Sequence, residues 1–105
     1  MHARVSTFEG GSIEQIEEGT RLLRERVLPA AQQLDGFMGV ISLADRAGRK
    51  QLTITLWESE EAMQASEEAA NRLRQDAADA LQAGIASVER YEVIVSEVKA
   101  PALAG

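Results

Sequence analysis

Two extended-looking runs, FMGVISLA (37–44) and KQLTITLW (50–57), flank the short Gly-bearing segment DRAG (45–48). Together they read as a β-hairpin. Their apolar residues fall at both parities, whereas a strand with one wet face should alternate more cleanly. Both faces of the hairpin therefore need cover. Along the second run, Leu52, Ile54 and Leu56 point one way, and Gln51, Thr53, Thr55 and Trp57 the other. With Ala44 set opposite Arg49, residues Phe37, Gly39, Ile41 and Leu43 join the Leu/Ile face. Met38, Val40 and Ser42 then join the Thr/Trp face. One face is uniformly apolar and suits a partner sheet. The other mixes hydroxyls with one large ring and suits helices.

The flanks supply those helices. Ala3–Phe8 is short and β-branched and reads as a first strand, ended by EGG. Ser12 with Gln15 makes a capping-box pattern, and Ile13, Ile16, Thr20, Leu23 and Val27 follow on one helical face. Pro29 should kink or restart this helix, with a last turn through about Leu34 before Asp35-Gly36 ends it. Ser59 is placed to cap a second helical region, with Glu60 and Glu61 favourable in its first turn. That region runs to about Gly84, is alanine-rich, and has a candidate break near Ser66–Glu67. SVERYEVIVSEV (87–98) reads as the last strand. The order β-α-β-β-α-β is the ferredoxin-like split arrangement, an α+β fold. Right-handed crossovers put both helices on one face of an antiparallel four-stranded sheet. The bare apolar face then predicts a homodimer, with two sheets packed face to face or closed into a barrel.

At 105 residues the chain fits one domain, expected over 1–98, with KAPALAG (99–105) as a flexible C-terminal tail. The formal charge is −6, which does not favour phosphate backbones, so nucleic acid is not an expected partner. No polybasic patch or long apolar run points to a membrane, and a cytoplasmic location is expected. With no cysteine, disulfides, thiolate metal sites and a cysteine nucleophile are excluded. His2 is the single histidine and has no spaced ligand partner, so no metal is expected.

Small alanines on the second helix should underfill the space over the Thr/Trp face. A partly polar cavity between sheet and helices is the expected result. Trp57 is its candidate wall, since an indole N–H needs a partner. Thr53 and Thr55 share its face, Met38 and Met63 could shape an adaptable apolar lining, and Tyr91 could orient a phenol. Each also has an ordinary reading: Trp57 as core filler, the threonines as strand formers, the methionines as packing, Tyr91 as structural. No catalytic base stands out.

The βαββαβ order, LPAAQQLDGFMGV before the hairpin and LWESEEAMQAS after it resemble the dimeric α+β barrel superfamily. Within it, the resemblance is to the antibiotic biosynthesis monooxygenase-like proteins. It covers nearly the whole chain, and its most specific piece is a strand-final Trp followed by a Ser-Glu-Glu-Ala helix start. The resemblance implies a homodimer with a ligand cavity between each sheet and its own helices. It also implies oxidation of an aromatic phenol by molecular oxygen without a cofactor. Phenol-oxidising members carry an Asn four positions before the Trp, where this chain has Thr53. Haem-degrading relatives use a first-strand Asn and a His after the Trp, and this chain has neither. Three readings remain: a cofactor-independent monooxygenase for a small aromatic compound, a non-catalytic small-molecule or stress-related binding module, and an oligomer whose cavity is filled by its own side chains.

Overall fold

The computed structural model describes residues 1–98, so the tail expected at 99–105 lies outside the described residues. The elements run β1 (His2–Glu9), α1 (Ile13–Leu22), a π-helical turn (Leu23–Val27), α2 (Leu28–Ala31), β2 (Phe37–Asp45), β3 (Lys50–Trp57), α3 (Glu60–Ala65), α4 (Glu67–Leu81) and β4 (Gly84–Glu92). The sheet order is β2-β3-β1-β4, and every neighbouring pair is antiparallel. This is the ferredoxin-like α+β fold.

Local chemistry accounts for the helix ends. The Ser12 hydroxyl accepts from the Gln15 N–H at 3.2 Å and starts α1, and Ser59 does the same with Ala62 at 3.1 Å for α3. The disturbance expected at Pro29 takes the form of a π-helical turn just upstream of it. There the Leu28 N–H reaches back five residues to the Leu23 carbonyl. Pro29 has no N–H with which to continue the ordinary ladder, so the widened turn absorbs the mismatch. The second helical region breaks at Ser66, between α3 and α4.

Two expectations about the end of the chain need correction. The second helical region stops at Leu81, where Gln82 takes a left-handed conformation (φ 52°), and not near Gly84. The last strand is Gly84–Glu92, and not 87–98. Glu92 lies opposite His2, the first residue of β1, so β1 offers nothing beyond it to pair with. Val93 still donates to the Met1 carbonyl at 2.9 Å, but Ile94 is 86% exposed.

The hairpin register differs from the expected one by two residues. Ala44 pairs with Gln51, not Arg49, and Asp45 with Lys50 closes the hairpin. A shift of two keeps every side chain on its expected face, whereas a shift of one would have exchanged the faces. The exception is at the start of β2. A bulge between Phe37 and Gly39 sets Phe37 opposite Trp57, so Phe37 leaves the Leu/Ile face. Met38, the residue inserted by the bulge, is 54% exposed.

The helices cover the face that carries Phe8 and Trp57. Phe8, Ala78 and Leu81 form a buried cluster, and Gly19 on α1 allows Leu81 of α4 to pack directly against the helix backbone. Gly36 serves a different need. It sits at φ 80°, and a Cβ there would come within 2.5 Å of the Ala62 Cβ. Gly10 has a comparable φ of 96°, but a methyl group added there would meet nothing within 4 Å. Gly10→Ala is therefore expected to cost about 1 kcal/mol from backbone strain alone, and Gly36→Ala about 1 kcal/mol or more beyond that. Urea denaturation of the two variants checks the order; equal losses would contradict it.

Candidate functional site

A half-open cavity of about 70 Å³ lies between the sheet and the helices. Its floor comes from two neighbouring strands: Arg4, Ser6 and Phe8 of β1, and Thr53, Thr55 and Trp57 of β3. Alternation puts each trio on one face, and the β1–β3 register sets Arg4 opposite Thr55 and Ser6 opposite Thr53. The roof comes from Leu23 and Val27 of the π-helical turn, Ala31, Leu34, and Ala70, Leu73, Arg74 and Ala77 of α4. Ala70 and Ala77 are the small residues that leave the space open. A larger outer groove of about 540 Å³ shares Val27 and Leu73 with the cavity and also carries Arg26, Asp76 and Asp79.

Trp57 is 1% exposed, the most deeply buried large side chain. Its Nε1–H donates to the Thr55 hydroxyl at 3.0 Å. Phe37 meets its ring edge-on at 5.5 Å between centroids, and the Arg4 guanidinium carbon lies 5.4 Å from its ring centre. Trp57 is thus both a core residue and a cavity wall.

The structure brings Thr53, Thr55 and Trp57 together around this cavity and places the other three sequence candidates elsewhere. Met38 is pushed outward by the β2 bulge and does not line it. Met63 is buried at 2% exposure outside the cavity, where its carbonyl accepts from Arg4. Tyr91 pairs with Ala3, which pairs with Leu56, and so belongs to the opposite face of the sheet. It is half exposed, and its hydroxyl donates to Glu89 at 2.8 Å, which raises its pKa.

Sequence reasoning missed the charged part of the site. Arg4 is 3% exposed, and its Nη2 donates to the Met63 carbonyl (2.7 Å), the Ser66 hydroxyl (3.0 Å) and Glu67 (3.0 Å). Glu67 also accepts from Arg90 through both oxygens, at 2.7 and 2.8 Å. Arg74 donates to Ser6 at 3.1 Å. The available signal was parity: Arg4 and Ser6 sit four and two residues before Phe8, on the same face of β1.

Among the described residues, no group of three or more His, Cys, Asp or Glu is set to hold a metal ion, and no helix is long and apolar enough to cross a membrane. His2 lies at the end of β1 with its Nε2 3.5 Å from Glu60.

With this geometry in view, the chain can be placed among known proteins. No family model matches it. It is 36% identical over 93 residues to the uncharacterized protein Rv2557 of Mycobacterium tuberculosis, a match that covers 89% of this chain and 41% of that protein. The chain therefore spans about two-fifths of the length of the curated relatives it matches. Among solved structures, it is similar to a monooxygenase from the gene ActVA-Orf6 of Streptomyces coelicolor, in complex with nanaomycin D (TM-score 0.73, 17% identity, 94% of this chain and 92% of that one). It is similar to the heme-degrader MhuD of Mycobacterium tuberculosis, with two hemes in its active site (TM-score 0.71, 22% identity, 93% and 100%). It is also similar to a candidate antibiotic biosynthesis monooxygenase of Deinococcus radiodurans (TM-score 0.68, 20% identity, 94% and 98%). These likenesses define the class of fold: a ferredoxin-like α+β domain.

The arginine pairing gives the site a pH signature. Hydrogen bonds from Arg90, with the charge and hydrogen bond of Arg4, bring the Glu67 carboxyl from 4.5 down to about 2. A carboxyl lowered on folding stabilises fully above its unfolded value and loses that contribution as pH falls through its folded one. The Glu67 contribution is therefore complete above 4.5 and fades toward 2. Glu67→Gln, which leaves Arg4 buried without its counter-charge, is expected to lower unfolding stability at neutral pH by about 1–2 kcal/mol after solvent screening. The gap between wild type and variant should close across that acidic window. Urea melts at stepped pH values check this, and a pH-independent gap would refute the linkage.

Proposed function

We propose that this chain is an antibiotic biosynthesis monooxygenase-like protein that takes a small aromatic, phenolic compound into the cavity beside Trp57 and oxidises it with molecular oxygen, without a cofactor. The observation that carries this reading is the cavity itself: largely apolar walls, the Trp57 ring, and the hydroxyls of Ser6, Thr53 and Thr55 converging from two strands. Apolar walls with a few convergent polar groups are what small-molecule sites require. The similarity to ActVA-Orf6 and MhuD gives the same fold a precedent for holding small ligands. A haem fits this chain poorly, since no histidine lines the cavity and its volume is about 70 Å³. A cavity that binds benzene measures about 150 Å³, twice this one, so a ligand here would place one end inside and extend past Val27 and Leu73 into the outer groove.

A second reading, a binding module without turnover, is favoured by one observation. No imidazole or carboxylate lines the cavity, so no wall residue offers a general base near neutral pH. Oxygen uptake with a panel of hydroxylated aromatics separates the two. Turnover in wild type that falls at least about tenfold in Trp57→Ala is the expected result. Binding seen by Trp57 fluorescence without oxygen uptake would leave only the binding reading.

The assembly we propose is a cytoplasmic homodimer through the bare sheet face. Leu52, Ile54 and Leu56 remain partly accessible on that face, and Leu43 and Tyr91 are about half exposed. Ile94, Val95 and Val98 extend the exposed apolar surface beyond β4. A contiguous apolar face of this kind is characteristic of a protein–protein contact. Light scattering at micromolar concentration is expected to give twice the 11.4 kDa of one chain, and Ile54→Glu should return the monomer. A monomeric wild type would contradict the proposed interface.

A further inference from the structure

The charges around the cavity do not balance. Arg4 and Arg90 share one carboxylate, Glu67, and Arg74 has no carboxylate among its hydrogen-bond partners. Arg90 takes both Glu67 oxygens and is itself exposed, so water screens it. Arg4 is not screened in this way. Every hydrogen bond its side chain makes comes from Nη2, and its buried Nε has no acceptor at all. Buried guanidinium donors are ordinarily satisfied, so the Arg4 charge is incompletely compensated beside the cavity. Arg74 is the second cation of the wall, and both its partners, Ser6 and Asn71, are neutral. Burial, then the neighbouring charge of Arg4, outweighs the opposing attraction of Glu67 and holds its pKa below the usual arginine value.

We infer that the inner end of the cavity is an anion site and that its ligand is a small organic acid. The carboxylate would accept from the Arg74 guanidinium, beside the Ser6 hydroxyl and within the field of the buried Arg4 charge. A planar carboxylate suits a guanidinium donor better than a neutral hydroxyl does. The apolar body would lie against Phe8 and Leu73. The outer groove sets the orientation, because Asp76 and Asp79 there repel an anion while the inner end attracts one. This inference rests on the cavity being the ligand site and specifies which chemistry it selects.

The test is a titration at neutral pH and low salt, read by the fluorescence of the single tryptophan, Trp57, with benzoate and its neutral counterpart benzyl alcohol. Benzoate is expected to bind at least about tenfold more tightly. Arg74→Gln should bring the ratio of the two affinities toward one, and Arg74→Lys should restore part of it. Arg21→Gln, which removes the same charge from the outer surface of α1, should leave the ratio where it was. Equal affinities in wild type, or a ratio unmoved by Arg74→Gln, would overturn the anion site while leaving the cavity a ligand site. If neither compound alters the fluorescence at millimolar concentration, the anion site and the ligand reading of the cavity fall together.

Discussion

A fully buried guanidinium, that of Arg4, organises the region around it. Removing such a charge from water is costly unless hydrogen bonds and a counter-charge replace its hydration. Each replacement comes from a different part of the chain. The Met63 carbonyl lies in the last turn of α3, the Ser66 hydroxyl sits at the helix break, and Glu67 begins α4. The break is therefore not a weak point in an alanine-rich helix. It turns a carbonyl and a hydroxyl toward β1, and Ser66 Oγ also donates to that same Met63 carbonyl at 2.6 Å. Trp57 lies under the guanidinium and fixes its position from the β3 side. First strand, third strand and second helical layer are thus joined at one point, and the cavity opens beside it.

The two faces of the sheet solve different problems. On the helix face, large and small side chains alternate across the gap: Phe8 and Trp57 from the sheet, Ala70, Ala77 and Ala78 from α4. The packing closes near Leu81, where Gly19 permits close approach, and stays open near Arg74. On the other face, Leu and Ile residues stand without cover in the single chain. The same strands supply both, because successive residues point in opposite directions. One hairpin thereby lines the cavity with one face and presents an aliphatic surface with the other.

The order of elements, the caps at Ser12 and Ser59 and the break near Ser66 were legible from spacing and local chemistry. So was the company of Thr53, Thr55 and Trp57, since it needs parity alone and survived a register shift of two. Other features were not legible for identifiable reasons. Phe37 changes face because of a bulge that no residue type announces, and Met38 is displaced with it. The last strand stops at Glu92 because β1 begins at His2, a fact of pairing that composition cannot reveal. Tyr91 has a suggestive residue type but the wrong parity once its partner Ala3 is known.

The sequence by itself determined that this chain forms a ferredoxin-like α+β sheet with one aromatic-and-hydroxyl face and one aliphatic face. Those properties follow from periodicity and local propensity, which act over a few residues. Only the tertiary structure decided that Arg4, a strand residue with no helical neighbour in sequence, is sealed beside Trp57, and that Arg74 meets Ser6 across 68 positions of chain. Such long-range pairings depend on how layers pack and on which buried charges find partners, and that is where the character of the cavity is set.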